Sequence, residues 1–205
     1  MNDKRGRSRE REFGQVGGHP ALDLVNTVEW RLDRSRSIDN LPDYRAVLDW
    51  SRQVQLVTSD ELQILGRLAE EEATAAAREL RVVTSLREDI DSALVNGSTA
   101  AVDRVVALYR GSVRQAEFRH TGSTWDWVDA TLALRTPRDR VVRLVVGLMA
   151  SPDVALVHRC EDAVCGWIYL DRSPRHNRRW CAAADCGNRN RVRRHYARRA
   201  TRTSG

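Results

Sequence analysis

The four cysteines of the chain all fall between residues 160 and 186, as Cys160-x4-Cys165, fifteen intervening residues, and Cys181-x4-Cys186. Two short-spaced pairs read as two knuckles, each offering two thiolates, and a hairpin between them brings the pairs together around a tetrahedral metal. The residues between suit that hairpin, because Trp167 to Leu170 reads as a strand and Asp171 to Pro174 as a turn. One zinc ion per chain, held by Cys160, Cys165, Cys181 and Cys186, is the expected occupant. An iron–sulfur cluster, disulfides and four unrelated thiols compete with it, and a reducing cytoplasm disfavours the disulfides. His158, His176 and His195 stand nearby, but a closed four-cysteine set leaves them no vacancy and each is expected to be a basic surface residue.

Arginine dominates the residues around and after the second knuckle. From Arg172 to the last residue there are eleven arginines, no lysine and one acid, Asp185, a net charge of +10. The whole chain carries +6, so residues 1–171 carry −4. A basic end on a mildly acidic body suggests an appendage for a polyanion and a body with another task. After Gly187 no residue breaks a helix, and Asn188 suits its cap. At helical spacing Val192 and Tyr196 share one side, expected to pack on the knuckles, while Arg191, Arg194 and Arg198 fall opposite and Arg189, Arg193 and Arg199 flank them. Such a helix suits the DNA major groove, where arginine reads guanine edges and grips phosphates. RNA and an acidic protein partner are the alternatives.

The body that must position this module reads as helical. Residues 1–12 have nothing to bury and are expected to be a disordered leader. Leu22, Leu24, Val25 and Val28 begin the folded domain; Pro42 to Leu56 reads as a helix, and Thr58 with Glu61 forms a capping box. Glu61 to Leu94 reads as continuous helix ending at Asn96-Gly97, with Leu80, Val83, Leu86, Ile90 and Leu94 as its stripe, and Ser98 to Gln115 as the next helix. Phe118 to Val128 suggests a short hairpin. Thr136-Pro137 opens a helix that is apolar almost all round, and the β-branched run Val154 to Val157 reads as a strand leading to Cys160. The fold class is therefore mainly α (α+β): a helical domain over 13–152 containing a short hairpin, then over 153–205 a zinc-ribbon-like β-hairpin with a basic helix. The body's stripes are expected to close on themselves, leaving the finger to unfold alone when zinc is lost.

No run of some 18 apolar residues exists, and the start of the chain lacks the apolar stretch of a signal peptide, so no membrane association and a cytoplasmic location are expected. Nor does the chain show an enzyme's nucleophile with its base. The one compact polar set in an apolar context, Asp23, Asn26 and Thr27 with His19, reads as helix capping or as the lining of a small-molecule effector pocket.

The segment from Cys160 to Arg199, with Cys186-Gly187-Asn188-Arg189 as its signature, resembles the CGNR zinc finger. GGHPALDLVNTVEWR, followed by Leu41 to Trp50, resembles the opening of the ABATE domain, which precedes that finger in bacterial proteins described as stress-induced transcription regulators. The resemblance implies that the four cysteines are the zinc ligands, that Asn188 and Arg189 complete the signature, and that the chain regulates transcription. A single finger helix has modest affinity, so a homodimer is expected.

Overall fold

A computed structural model describes residues 12–203. The leader expected over 1–12 lies almost wholly outside the described residues. Specific side chains start several helices of the body. His19 caps α1 (Pro20–Val25) by accepting from the Ala21 amide, and Asp43 caps α2 (Tyr44–Gln53) by accepting from the Ala46 amide. The capping box of Thr58 and Glu61 opens α3 (Ser59–Glu71), each side chain accepting from the other's backbone N–H. Here the structure differs from the sequence reading, which runs one helix from Glu61 to Leu94. Glu72 leaves the helical region at φ −115° and ψ 47°, and α4 (Ala73–Asn96) starts afresh beyond it. Gly97, in the left-handed region at φ +64°, closes α4 as a residue without Cβ does most readily. Ser98 then caps α5 (Thr99–Val113).

Helix α6 (Thr136–Met149) is central, burying Val141, Val142, Val145 and Leu148. Before α2, strands β1 (Val28–Glu29) and β2 (Ile38–Asp39) pair antiparallel across the loop Trp30–Ser37. Between α5 and α6, β3 (Ala116–Thr121) and β4 (Thr124–Asp129) form the expected hairpin. Arg140 ties it to the body, donating to Asp129 at 2.6 Å and to Glu61 at 2.7 and 2.8 Å. The strand expected at Val154 to Val157 is instead mostly a 3-10 turn (Pro152–Leu156), since Pro152 fixes a helical φ in its first position. Strand β5 (Val157–Arg159) follows and pairs antiparallel with β6 (Ile168–Leu170), Arg159 opposite Ile168.

One core joins the six helices of the body with the β5–β6 hairpin. Leu22, Leu24, Val47, Trp50, Leu65, Leu86, Ile90 and Val145 lie at its centre, each side chain contributing on the order of 2 kcal/mol by leaving water. Ile168 and Leu170 of β6 belong to the same core, fully buried or nearly so. The body's apolar stripes therefore do not close on themselves; a strand from between the cysteine pairs completes them.

Candidate metal centre and the helix it carries

Strands β5 and β6 set the first knuckle. The Cys160 amide donates to the Trp167 carbonyl at 2.8 Å, and the Cys165 amide to the Asp162 carbonyl at 3.1 Å, so the chain folds back between two thiols. Gly166 completes the turn at φ +76°, where an added Cβ would lie 2.9 Å from the Arg31 side chain. The second knuckle is tied to the first by the Glu161 amide, which donates to the Arg179 carbonyl at 3.0 Å. A π-helical turn (Ala183–Gly187) then delivers Cys186, and Gly187 sits where a Cβ would come within 3.1 Å of the Trp180 ring.

All four cysteines are buried, and their sulfurs lie within 4.8 Å of one another. Cys165 and Cys181 are 3.7 Å apart and Cys181 and Cys186 3.4 Å, far beyond a disulfide bond. Tetrahedral zinc with bonds of about 2.3 Å spaces its sulfurs by about 3.8 Å, so the set has the size of a zinc site. Electrostatics ask for a cation as well. Hydrogen bonds from the Cys165 and Cys181 thiols push Cys160 well below the usual thiol range. Those bonds hold the protons on Cys165 and Cys181, which move up, and burial moves Cys186 up. Only a multivalent cation lets all four sulfurs be thiolates together. With four ligands from the chain, a bound zinc has no open position for substrate, which marks a structural centre.

Helix α7 (Asn188–Thr203) leaves this centre directly. Its first turn is held by one acid the sequence reading passed over. Asp162 is fully buried; it accepts from Arg189 Nε at 3.0 Å and Asn190 Nδ2 at 2.6 Å, and Arg193 stands 3.9 Å away. Arg189 also donates to Cys186 Sγ at 2.9 Å, and its guanidinium lies 4.5 Å from the Trp30 ring centroid. An acid inside the first Cys-x4-Cys turn, with an arginine-rich segment to follow, was the only signal for this lock.

The six arginines expected at DNA thus fall into different surroundings. Arg189 is partly buried at the root of α7, Arg193 is half-exposed, and Arg191, Arg194, Arg198 and Arg199 are exposed. Val192 and Tyr196, expected to pack on the knuckles, are 45% and 66% exposed. The correction has a simple cause: polar bonds to Asp162 fasten the helix at its first turn, and from Arg191 to Arg199 it projects into solvent with every residue exposed. Another arginine in the basic segment serves the structure. Arg178 lies 4.2 Å from the Tyr169 ring centroid and donates to the carbonyls of Trp180 at 2.9 Å and of Cys181.

Asp23, Asn26 and Thr27 are all buried, and each has a partner in the chain. Asn26 grips the peptide of Ile168 from both sides: Nδ2 donates to the Ile168 carbonyl and Oδ1 accepts its amide, both at 2.9 Å. Thr27 Oγ1 donates to the Leu24 carbonyl at 2.7 Å and accepts from Arg87 at 3.2 Å. Asp23 accepts from the Gly17 amide at 2.8 Å, and burial pushes its carboxyl up to about 6. A cleft between body and finger is lined by Glu29, Trp30, Cys165, Trp167, Asp185 and Arg189, and by none of these three.

Fold and site together define a helical body fused to a four-cysteine zinc module with a basic helix. Residues 157–199 match the CGNR zinc finger. Residues 18–164 match the ABATE family, whose description is "Putative stress-induced transcription regulator", and the chain belongs to that family. None of the curated proteins matches the chain.

Proposed function

We propose that this protein regulates transcription by binding DNA, with α7 as the element that enters the major groove. The observation that carries the reading is the exposed run Arg191 to Arg199 on a helix whose root is locked to a metal centre. A rigid root and an uncovered cationic helix are what groove recognition requires, because arginine both spans two acceptors on a guanine and bonds phosphates. The body is the regulatory part, and pairing of two chains would place two helices on one duplex. The chain acts in the cytoplasm and carries out no catalysis.

Arg191, Arg194 and Arg198 together replaced by alanine test this. The zinc content should stay at one per chain, since none of the three touches a cysteine. Affinity for the chain's genomic sites should fall by at least 100-fold, as roughly 1–3 kcal/mol per base-reading arginine implies. Unchanged DNA affinity in the zinc-loaded variant refutes the assignment of α7.

A further inference from the structure

The loop Trp30–Ser37 belongs to the body, yet the structure fastens it to the first zinc knuckle. The Arg31 amide donates to the Cys165 carbonyl at 3.0 Å and the Leu32 amide to the Val164 carbonyl at 3.4 Å. Gly166 permits this approach, because any side chain there would strike Arg31 and Leu32 within 2.9–3.0 Å. Trp30 takes φ +52°, a left-handed conformation that is strained for a bulky residue and persists only where its surroundings impose it. That conformation sets the indole against two cations: the Arg36 guanidinium is 3.7 Å from its centroid, and the Arg189 guanidinium 4.5 Å. One ring thus joins the loop to the root of α7.

Among the described residues, no ion pair involves Arg34 or Arg36. Arg31 is committed inward, to Glu88 at 2.5 Å and the Val25 carbonyl at 2.9 Å. Arg34 and Arg36 are exposed. The loop's one acid, Asp33, turns back on Ser35, accepting its hydroxyl at 2.7 Å and its amide at 3.1 Å. The acids nearby are engaged as well: Glu29 accepts from Asn40 at 3.1 Å, Asp39 is bridged by Arg87 at 2.8 Å, and Asp185 pairs with Arg189 at 3.0 Å.

We infer that Arg34 and Arg36 form a second DNA contact, a clamp on the phosphate backbone beside the groove that α7 enters. The inference rests on the DNA reading of α7. Exposed arginines on a loop braced by backbone bonds suit phosphates, which give affinity and register without sequence information. The acidic balance of residues 1–171 hides this patch, whose Arg36 stacks on the same Trp30 ring that meets Arg189 at the root of α7. The body then takes part in holding DNA.

The test is Arg34→Gln with Arg36→Gln in the full zinc-loaded chain, measured by anisotropy on a labelled mixed-sequence duplex over a range of salt. Losing two phosphate contacts should make the slope of log affinity against log salt shallower by about 1.8, and weaken binding on the order of 50-fold at 0.1 M salt. Arg34→Lys with Arg36→Lys keeps the charge and should restore the slope, separating a lost charge from a disturbed loop. A slope unchanged in the glutamine variant, with the parent binding normally, overturns the clamp and leaves the α7 reading standing. A parent that binds no DNA at any salt overturns both, and a lysine variant as shallow as the glutamine one overturns the clamp by assigning the loss to loop structure.

Discussion

Replacing Asn26 with alanine should loosen the body and the metal module together. The wild-type amide satisfies both polar groups of the Ile168 peptide, in a site where Asn26 is 2% and Ile168 0% exposed. Alanine leaves a buried N–H and a buried C=O without partners, each costing about 1–3 kcal/mol. Water entering the space left by the amide would recover part of this, so the expected loss is about 2–4 kcal/mol, a large share of a typical domain stability of 5–15 kcal/mol. Urea unfolding followed by far-UV circular dichroism measures it, with zinc release to a chromogenic chelator read in parallel. Both curves should move to lower urea, because the gripped peptide is three residues from Cys165. Asn26→Asp separates bonding from packing: it can still accept from the Ile168 amide but sets a carboxylate against the Ile168 carbonyl, and should be at least as unstable near neutral pH. A loss below about 0.5 kcal/mol for alanine, or an aspartate variant as stable as the parent, would refute the two-sided grip.

Two further outcomes follow from the same architecture. Cys181→Ser should abolish stoichiometric zinc binding and lower the thermal midpoint of the whole chain in one transition, since Ile168 and Leu170 serve the body's core; a body melting at its original temperature in scanning calorimetry would show the strand to be dispensable. Asp23→Asn should stabilise the protein at neutral pH by up to about 3 kcal/mol, because the amide keeps an acceptor for Gly17 without burying a charge. The sign follows from a carboxyl whose pKa is raised on folding: its contribution is full below about 4 and lost as pH rises through about 6, so the variant's advantage grows from about pH 4 to about pH 6 and levels above that. A stability difference that is flat with pH would show Asp23 to be solvated.

What the sequence disclosed was local, and what it concealed was held by residues far apart. Cysteine spacing pointed to all four members of the buried sulfur cluster because knuckles close over a few residues. Thr58 with Glu61, and the hairpin over Phe118 to Val128, were readable for the same reason. The break at Glu72 has neither glycine nor proline to announce it, and the good helix formers on both sides mask it. Asp162 acts on residues 27 and 28 positions later, and Asn26 on a peptide 142 positions later, so neither role has a spacing to recognise. The expectation for Val192 and Tyr196 failed because helical periodicity says which residues share a side, and not whether anything lies against that side.

The projecting part of α7 has a consequence for the free protein. From Arg191 to Arg199 every residue of the helix is exposed, and its arginines stand at the three- and four-residue spacings where like charges repel. Isolated helices of such length are marginal in water, and tertiary packing is what usually secures them. The order of this segment is therefore tied to its ionic atmosphere. A polyanion beside it relieves the repulsion and stiffens the helix in one event, and the conformational entropy lost in that stiffening is drawn from the attraction between the two.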